Sequence, residues 1–297
     1  MESLDILKRR IRTAEDLHSL VRTMKALAAV NLRQLEEAVR SLVHYRETVE
    51  LGLRVVLSQR SRGAVTARHA AHNNVGAVVF GSDQGMCGGM NDQLVSFATR
   101  HLEAGSLGGE LRCLLAVGGR VAARLEDAGL APNGVEATAS SASGITPVVQ
   151  NVLLQIDQWH AQQGIERVLV FHCQYVTRGA YEPRCLNLLP VDRGWLESLC
   201  QRPWPTHVLP AFTMDSEQLF SALIRQYLFV ALYRAAAESL ASENAARLTA
   251  MRGAEKNITE QLDTLQMRFH QQRQQAITEE LLDIASGFEA LSEEAGL

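Results

Sequence analysis

Residues 4–27 read LDILKRRIRTAEDLHSLVRTMKAL. Apolar positions fall at Leu4, Leu7, Ile11, Ala14, Leu17, Leu20, Met24 and Leu27. The steps are all three or four, which puts these side chains on one stripe of a helix and predicts a coiled-coil seam. Ser3 is a cap candidate ahead of Leu4, and Asp5 lies in the first turn. At Asn31 and Leu32 the spacing predicts a one-residue slip, after which the seam resumes as Leu32, Leu35, Val39, Leu42, Val49, Leu53 and Val56. Helical as far as Arg62, the segment would be about 93 Å long at ~1.5 Å per residue, too long to pack within a small domain.

Helix breakers divide the rest of the 297 residues. All seven prolines lie between Pro132 and Pro210, and 17 of the 21 glycines lie between Gly63 and Gly194. Proline and glycine are the strongest disruptors of a helix interior, so the two ends can be long helices and the middle cannot. Three segments follow: an N-terminal coiled-coil helix (1–62), a central domain (63–210) and a C-terminal coiled-coil helix (211–297). In the last, Asp215 or Ser216 can cap a helix. Its apolar positions include Leu219, Leu223, Tyr227 and Val230, then Ile258, Leu262, Leu265, Phe269, Ile277, Leu281, Ile284, Phe288 and Leu291. The alanine-rich stretch Ala235–Ala246 allows close helix approach. Two seams of this kind most simply form an antiparallel pair.

The middle alternates strand-like runs (75–80, 111–117, 167–173, 184–189) with helix-like runs (91–102, 120–128, 147–162). Alternation of this sort predicts an α/β sheet with some parallel pairing, a Rossmann-like domain carried between two long helices. Hydrophobic residues make up 46% of the chain and charged residues 21%, which excludes whole-chain disorder. The net charge of −4 argues against nucleic acid as a partner. Residues 1–62 carry 12 basic and 8 acidic groups and residues 211–297 carry 7 and 13, so the ends can attract each other. No run approaches the ~20 apolar residues of a membrane span, and direct membrane insertion is not expected. The five cysteines form no C-x-x-C pair, which fits a reducing cytoplasm.

The most distinctive local sequence is Gly81-Ser82-Asp83-Gln84-Gly85-Met86-Cys87-Gly88-Gly89-Met90-Asn91. A glycine-rich turn between strand and helix can cradle phosphate on backbone N–H groups. Here the Walker lysine and the G-x-G-x-x-G pattern are both missing. Gly85, Gly88 and Gly89 are therefore read as a structural loop needing positive φ angles. His69 and His72 have metal-compatible spacing but no adjacent carboxylate or cysteine, so they are read as a solvated loop. His172 and Cys173 are read as strand-face or core residues. No nucleophile–base signature appears, and neither a catalytic site, a metal nor a cofactor is expected. Lys8, Arg9, Arg10, Arg12, Arg22, Lys25 and Arg33 form a basic face suited either to solvent or to an acidic partner.

Three blocks resemble a known family. Met24-Lys25-Ala26-Leu27-Ala28-Ala29-Val30-Asn31-Leu32-Arg33, the Ser82–Asn91 loop, and Ala241–Met251 with Arg273–Leu281 and Glu289–Leu291 are similar to the gamma subunit of F-type ATP synthases. Order and spacing match over essentially the whole chain. The resemblance implies a central rotor shaft: an antiparallel coiled coil inside a hexamer of alpha and beta subunits, with the α/β domain docked on the epsilon subunit and the membrane c-ring. It implies a non-catalytic subunit of a peripheral assembly on the cytoplasmic face of the bacterial inner membrane. It also implies residue roles. Arg247, Gln274 and Thr278 would meet the catch region of beta, Met24 and Lys25 would face its acidic lever loop, and Ile277, Leu281 and Ile284 would belong to an apolar tip in a hydrophobic bearing. Gln84, Asn31 and Ala26-Leu27 depart from the family pattern, and the chloroplast-type cysteine insertion is absent. Such divergence suits a bacterial alternate form such as the N-type ATPases. Two other readings remain at this point: a nucleotide-binding α/β enzyme using the glycine loop, and a generic coiled-coil scaffold.

Overall fold

The computed structural model describes residues 4–59, 74–103, 110–176, 180–205, 208 and 210–294, excepting the side chains of 59 and 287–294. The elements are α1 (Leu4–Gln59), β1 (Asn74–Phe80), α2 (Met90–Glu103), β2 (Glu110–Val117), α3 (Gly119–Asp127), β3 (Gly134–Glu136), α4 (Ile145–Gln163), β4 (Arg167–Tyr175), β5 (Tyr181–Leu189), α5 (Arg193–Gln201) and α6 (Ser216–Glu294). The chain forms two compact units, residues 1–27 with 249–297, and residues 28–248.

The larger unit is built on a five-stranded sheet of order β3-β2-β1-β4-β5. β1 pairs in parallel with β2 and β4, β2 in parallel with β3, and β5 closes the edge antiparallel to β4. The strands were legible as unbroken apolar runs because both faces are covered. Val78, Phe80, Leu115 and Val117 face α4, with Leu35 of α1 and Leu232 to Ala241 of α6 in the same core. Ala77, Val79, Ala116, Leu169 and Phe171 point the other way, onto Met90, Leu94 and Ala98 of α2 and Val121 and Leu125 of α3. The three-residue β3 and the short α5 carry too little periodicity to be seen in sequence.

Helix starts follow their caps. Asp215 Oδ2 accepts from the backbone N–H groups of Glu217 and Gln218, both at 3.1 Å, so Asp215 rather than Ser216 caps α6. Asp192 Oδ1 accepts from Gly194 N at 2.9 Å and caps α5.

In the smaller unit the N-terminal part of α1 runs antiparallel to α6. Lys25 Nζ meets Glu255 Oε2, while Arg9 to Leu17 share a groove with Asn257 to Arg268. The register of the expected seam is corrected here. Leu7 is buried and Leu4, Ile11, Ala14 and Met24 are half-buried as the seam requires, but Leu17, Leu20 and Leu27 are 48%, 52% and 59% exposed, and His18, Val21, Lys25 and Ala28 are covered or half-covered in their place. With that change the covered positions continue through Leu32, Leu35, Val39 and Leu42 in steps of three and four with no slip at Asn31, and after a gap of seven they resume at Val49, Leu53 and Val56. The physical reason is that Lys25 on the covered side pairs with Glu255 of α6, so the partner helix rather than hydrophobicity decides which side of α1 is covered. On α6 the covered positions Met251, Glu255, Ile258, Leu262, Leu265 and Phe269 continue through Gln272 and Ala276. Ile277, Leu281 and Ile284 leave the seam and are 47%, 61% and 69% exposed.

Gly118, between β2 and α3, has φ 122°, and a Cβ placed there would lie 2.7 Å from the backbone oxygen of Ser82. Both strain and overlap oppose a side chain. Gly118→Ala should lower unfolding free energy by about 2–4 kcal/mol, read as a reduced urea midpoint at unchanged m-value.

Candidate functional site

In an open parallel sheet, ligands enter at the carboxyl ends of the strands where the strand order reverses. In this sheet the reversal falls between β1 and β4. That crevice is filled by the chain itself. Ser239 Oγ on α6 donates to Phe80 O at 2.7 Å, and Ser242 Oγ shares its one proton between Cys173 O at 3.0 Å and Glu238 O of its own helix at 2.8 Å. Every residue of α6 from Ala235 to Arg247 is buried. Alanines at 235–237, 241, 245 and 246 let the helix approach closely, and its serines supply donors to carbonyls that a cofactor would otherwise cover.

The glycine loop after β1 is equally committed. Asp83 accepts from Gly119 N (2.6 Å) through Oδ1, and from Thr138 N (2.6 Å) and Thr138 Oγ1 (2.9 Å) through Oδ2. A carboxylate thus takes an N–H at the start of α3, where an anionic ligand would compete for the same donor. Below it, Asn91 Nδ2 donates to Ser82 Oγ at 2.8 Å, and Ser82 Oγ donates to Gln84 O at 3.1 Å. Gly88 takes a positive φ of 61°, while the second left-handed position is held by Met86 at 63°. Gly85 contributes its carbonyl, which accepts from Arg247 Nη2 at 3.4 Å.

Two buried ion pairs on α6 join this closure. Arg247 Nη2 bonds Glu243 Oε1 at 2.5 Å. Burial pushes the Glu243 carboxyl above the ordinary glutamate range, and Arg247 opposes that rise. One turn earlier, His172 Nε2 lies 3.1 Å from Glu238 Oε2, and Arg234 Nε donates to Glu238 Oε1 at 2.7 Å. Burial raises the Glu238 carboxyl, but the bonds from His172 and Arg234 outweigh it and leave the group below its ordinary value. Cys173 is buried in β4, and burial pushes its thiol up to about 12. No group of three or more His, Cys, Asp or Glu suited to a metal occurs among the described residues. His69 and His72 lie outside them.

The expected interface residues divide by environment. Arg247 is buried and bound within the chain, and Lys25 is half-buried on Glu255 beside the half-buried Met24. The structure brings Arg247 and Gly85 together across 162 positions of sequence. Gln274 and Thr278 are exposed one turn apart on α6, with Thr278 Oγ1 donating to Gln274 O at 2.9 Å. Ile277, Leu281 and Ile284 lie on the same exposed stretch of α6. Sequence reasoning missed the partners Glu243, Glu238 and His172. The only local signal was the i,i+4 spacing of Glu243 with Arg247 and of Arg234 with Glu238, which usually marks solvated pairs.

Removing one member of a buried pair leaves an uncompensated charge. Arg247→Met should cost about 3–5 kcal/mol in chemical denaturation, and a second change, Glu243→Leu, should restore much of it. For Glu238 the folded carboxyl sits below its unfolded value. Its contribution is therefore present above the ordinary glutamate pKa of 4.5 and lost as pH falls below it. Urea midpoints at pH 7 and at pH 4 should differ less in Glu238→Gln than in the wild-type chain, and an unchanged difference would contradict this assignment.

Comparison with known proteins accords with this geometry. A family model described as ATP synthase matches residues 3–291. The ATP synthase gamma chain of Sulfurovum sp. is 28% identical over 306 residues, covering 98% of this chain and 100% of that one. The gamma chain of Rubrobacter xylanophilus is also 28% identical, covering 98% and 99%. Among solved structures, a chain of Euglena gracilis mitochondrial ATP synthase superimposes with TM-score 0.61 at 16% identity, over 99% of this chain and 96% of that one. A chain from the central stalk and c-ring of the Tetrahymena thermophila mitochondrial enzyme gives 0.54 at 19% identity, over 79% and 99%. No helix among the described residues is long and apolar enough to cross a membrane. With a match running from residue 3 to residue 291, the chain belongs to the gamma-subunit family of ATP synthase.

Proposed function

We propose that the chain turns as the central shaft of a rotary ATP synthase, linking ion flow through a membrane c-ring to ATP synthesis or hydrolysis on an alpha/beta hexamer. It is a non-catalytic stalk subunit of the peripheral F1 portion. Two observations carry the reading: α6 runs unbroken for 79 residues and pairs with α1 in the smaller unit, and in the larger unit the chain itself closes the cofactor crevice of its sheet. A torque-transmitting element needs continuous helix and a rigid root, and neither requires a reactive group.

In this reading residues 1–62 and 211–297 form the shaft and residues 63–210 the foot, which docks on the epsilon subunit and the c-ring. The assembly would sit on the cytoplasmic face of a bacterial membrane. Gln274 and Thr278 present exposed polar groups toward a surrounding beta subunit, and Ile277, Leu281 and Ile284 form the apolar tip. Met24 lies in the stretch facing the beta lever loop. Lys25 and Arg247 act there chiefly by fixing the helices, since both are engaged within the chain. The exposed Leu17, Leu20 and Leu27 supply apolar surface for the same hexamer.

Replacing Ile277, Leu281 and Ile284 together by Asp should leave the thermal midpoint of the isolated chain within a few degrees of wild type, since exposed substitutions seldom change stability by more than about 0.5 kcal/mol. Co-purification with alpha and beta subunits, or ion-coupled ATP turnover of the assembly, should fall several-fold. Wild-type assembly and coupling in that variant would remove the tip assignment. ATP hydrolysis by the isolated chain at assembly-like rates would remove the shaft reading itself.

A further inference from the structure

A second cavity, of about 510 Å³, lies wholly within the larger unit, between the β4–β5 edge of the sheet and the helices α1, α5 and α6. Its size is that of a small-molecule site rather than a packing void. Four guanidinium groups line it, from Arg46, Arg184, Arg202 and Arg234. Two carboxylates, Glu50 and Glu238, line it with them, and Glu182 holds Arg184 from outside the lining.

The cations therefore outnumber the carboxylates that bind them, and each is only partly used. Arg46 gives Nε to Glu50 at 3.1 Å, Arg202 gives Nη1 to the same residue at 3.5 Å, and Arg234 gives Nε to Glu238 at 2.7 Å. Arg184 gives Nη2 to Glu182 at 2.8 Å and Nε to Gln174 at 3.1 Å. A guanidinium has five N–H donors, so several on each side chain remain for a planar or tetrahedral oxyanion, which arginine forks match in geometry.

The cavity also has a buried polar member. His172 lines it at 7% exposure, and its Nδ1 has no hydrogen-bond partner. Buried polar atoms are seldom left unpaired without a reason. Apart from Gln174, the remaining wall is largely apolar and aromatic: Trp195 stacks on Tyr227 at 4.4 Å between ring centroids, with Leu186 and Val230 alongside. Charge at the rim and apolar surface in the wall suit an amphiphilic anion better than a bare inorganic one.

We propose that this arginine-rimmed cavity is a binding site for an organic oxyanion bearing a phosphate or carboxylate group. The site adjoins the closed crevice at β1 and β4, sharing His172 and Glu238 with its closure, and does not depend on the shaft reading.

The test is calorimetric titration of the full-length chain at low salt with phenyl phosphate, with glutarate, and with phenol as the uncharged control. Saturable one-to-one binding of phenyl phosphate assigns a phosphate site, and of glutarate a carboxylate site; phenol should give neither. Arg184→Ala and Arg202→Ala should each weaken binding about tenfold or more, as loss of a charge-assisted hydrogen bond does, whereas Arg124→Ala, outside the cavity, should not. Arg184 and Arg202 have more than half of their side chains exposed, at 55% and 57%, so neither change should disturb folding, which circular dichroism checks. Three outcomes overturn the proposal: no saturable heat with either anion up to about 10 mM, phenol binding as tightly as phenyl phosphate, or equal affinity in wild type and both arginine variants.

Discussion

The structure of the larger unit depends on one contact, the seating of α6 on the carboxyl ends of β1 and β4. Strands that end in the middle of a parallel sheet leave carbonyls that need donors. Ser239 and Ser242 supply them to Phe80 and Cys173, and the alanines around them let the helix come near enough to do so. The same contact fixes the side chains around it. Glu238 meets His172 of β4, and Arg247 meets the glycine loop that follows β1. A Rossmann-like sheet ordinarily keeps this edge open for a cofactor. In this chain a helix fills the edge, and the sheet serves as the anchorage of that helix.

Several features were legible in sequence because they are local. Proline and glycine act on their own turn of chain, so their distribution separated the long helices from the sheet. β1, β2 and β4 announced themselves because coverage on both faces forces an unbroken apolar run. The Ser82–Asn91 loop was recognisable because its glycine and polar positions serve one compact set of bonds. What could not be read depends on contacts between distant parts of the chain. His172 and Glu238 are 66 positions apart, and Arg247 and Gly85 are 162 apart. The α1 seam failed at three positions for a different reason. Leu17, Leu20 and Leu27 are as apolar as any core residue, yet the covered positions include His18 and Lys25. Burial there is decided by the partner helix, whose Glu255 receives Lys25.

Charge in this molecule is handled in two ways. On α6 within the sheet unit, buried carboxylates are matched to arginine or histidine at hydrogen-bond distance, so the helix is held by directional bonds as well as by apolar contact. Directional bonds fix rotation of the helix about its axis, which packing of alanines against a sheet does only weakly. That constraint is the one a shaft subunit needs at its root, because torque applied along the helices would otherwise be lost as twist at the anchorage. Along the exposed parts of the helices, ion pairs such as Lys256 with Glu260 are solvated and screened, and contribute little to shape.

The exposed leucines of α1 and the bare end of α6 also bear on how much of this chain a cell can tolerate. Leu20, Leu27, Leu281 and Ile284 are more than half exposed, and they are covered only if other subunits cover them. Free chain presents sticky surface that favours self-association and draws chaperones and proteases, whereas bound chain does not. Supply of this subunit therefore has to be matched to supply of the subunits around it, with any surplus removed. A feature of helix packing thus becomes a rule of stoichiometry.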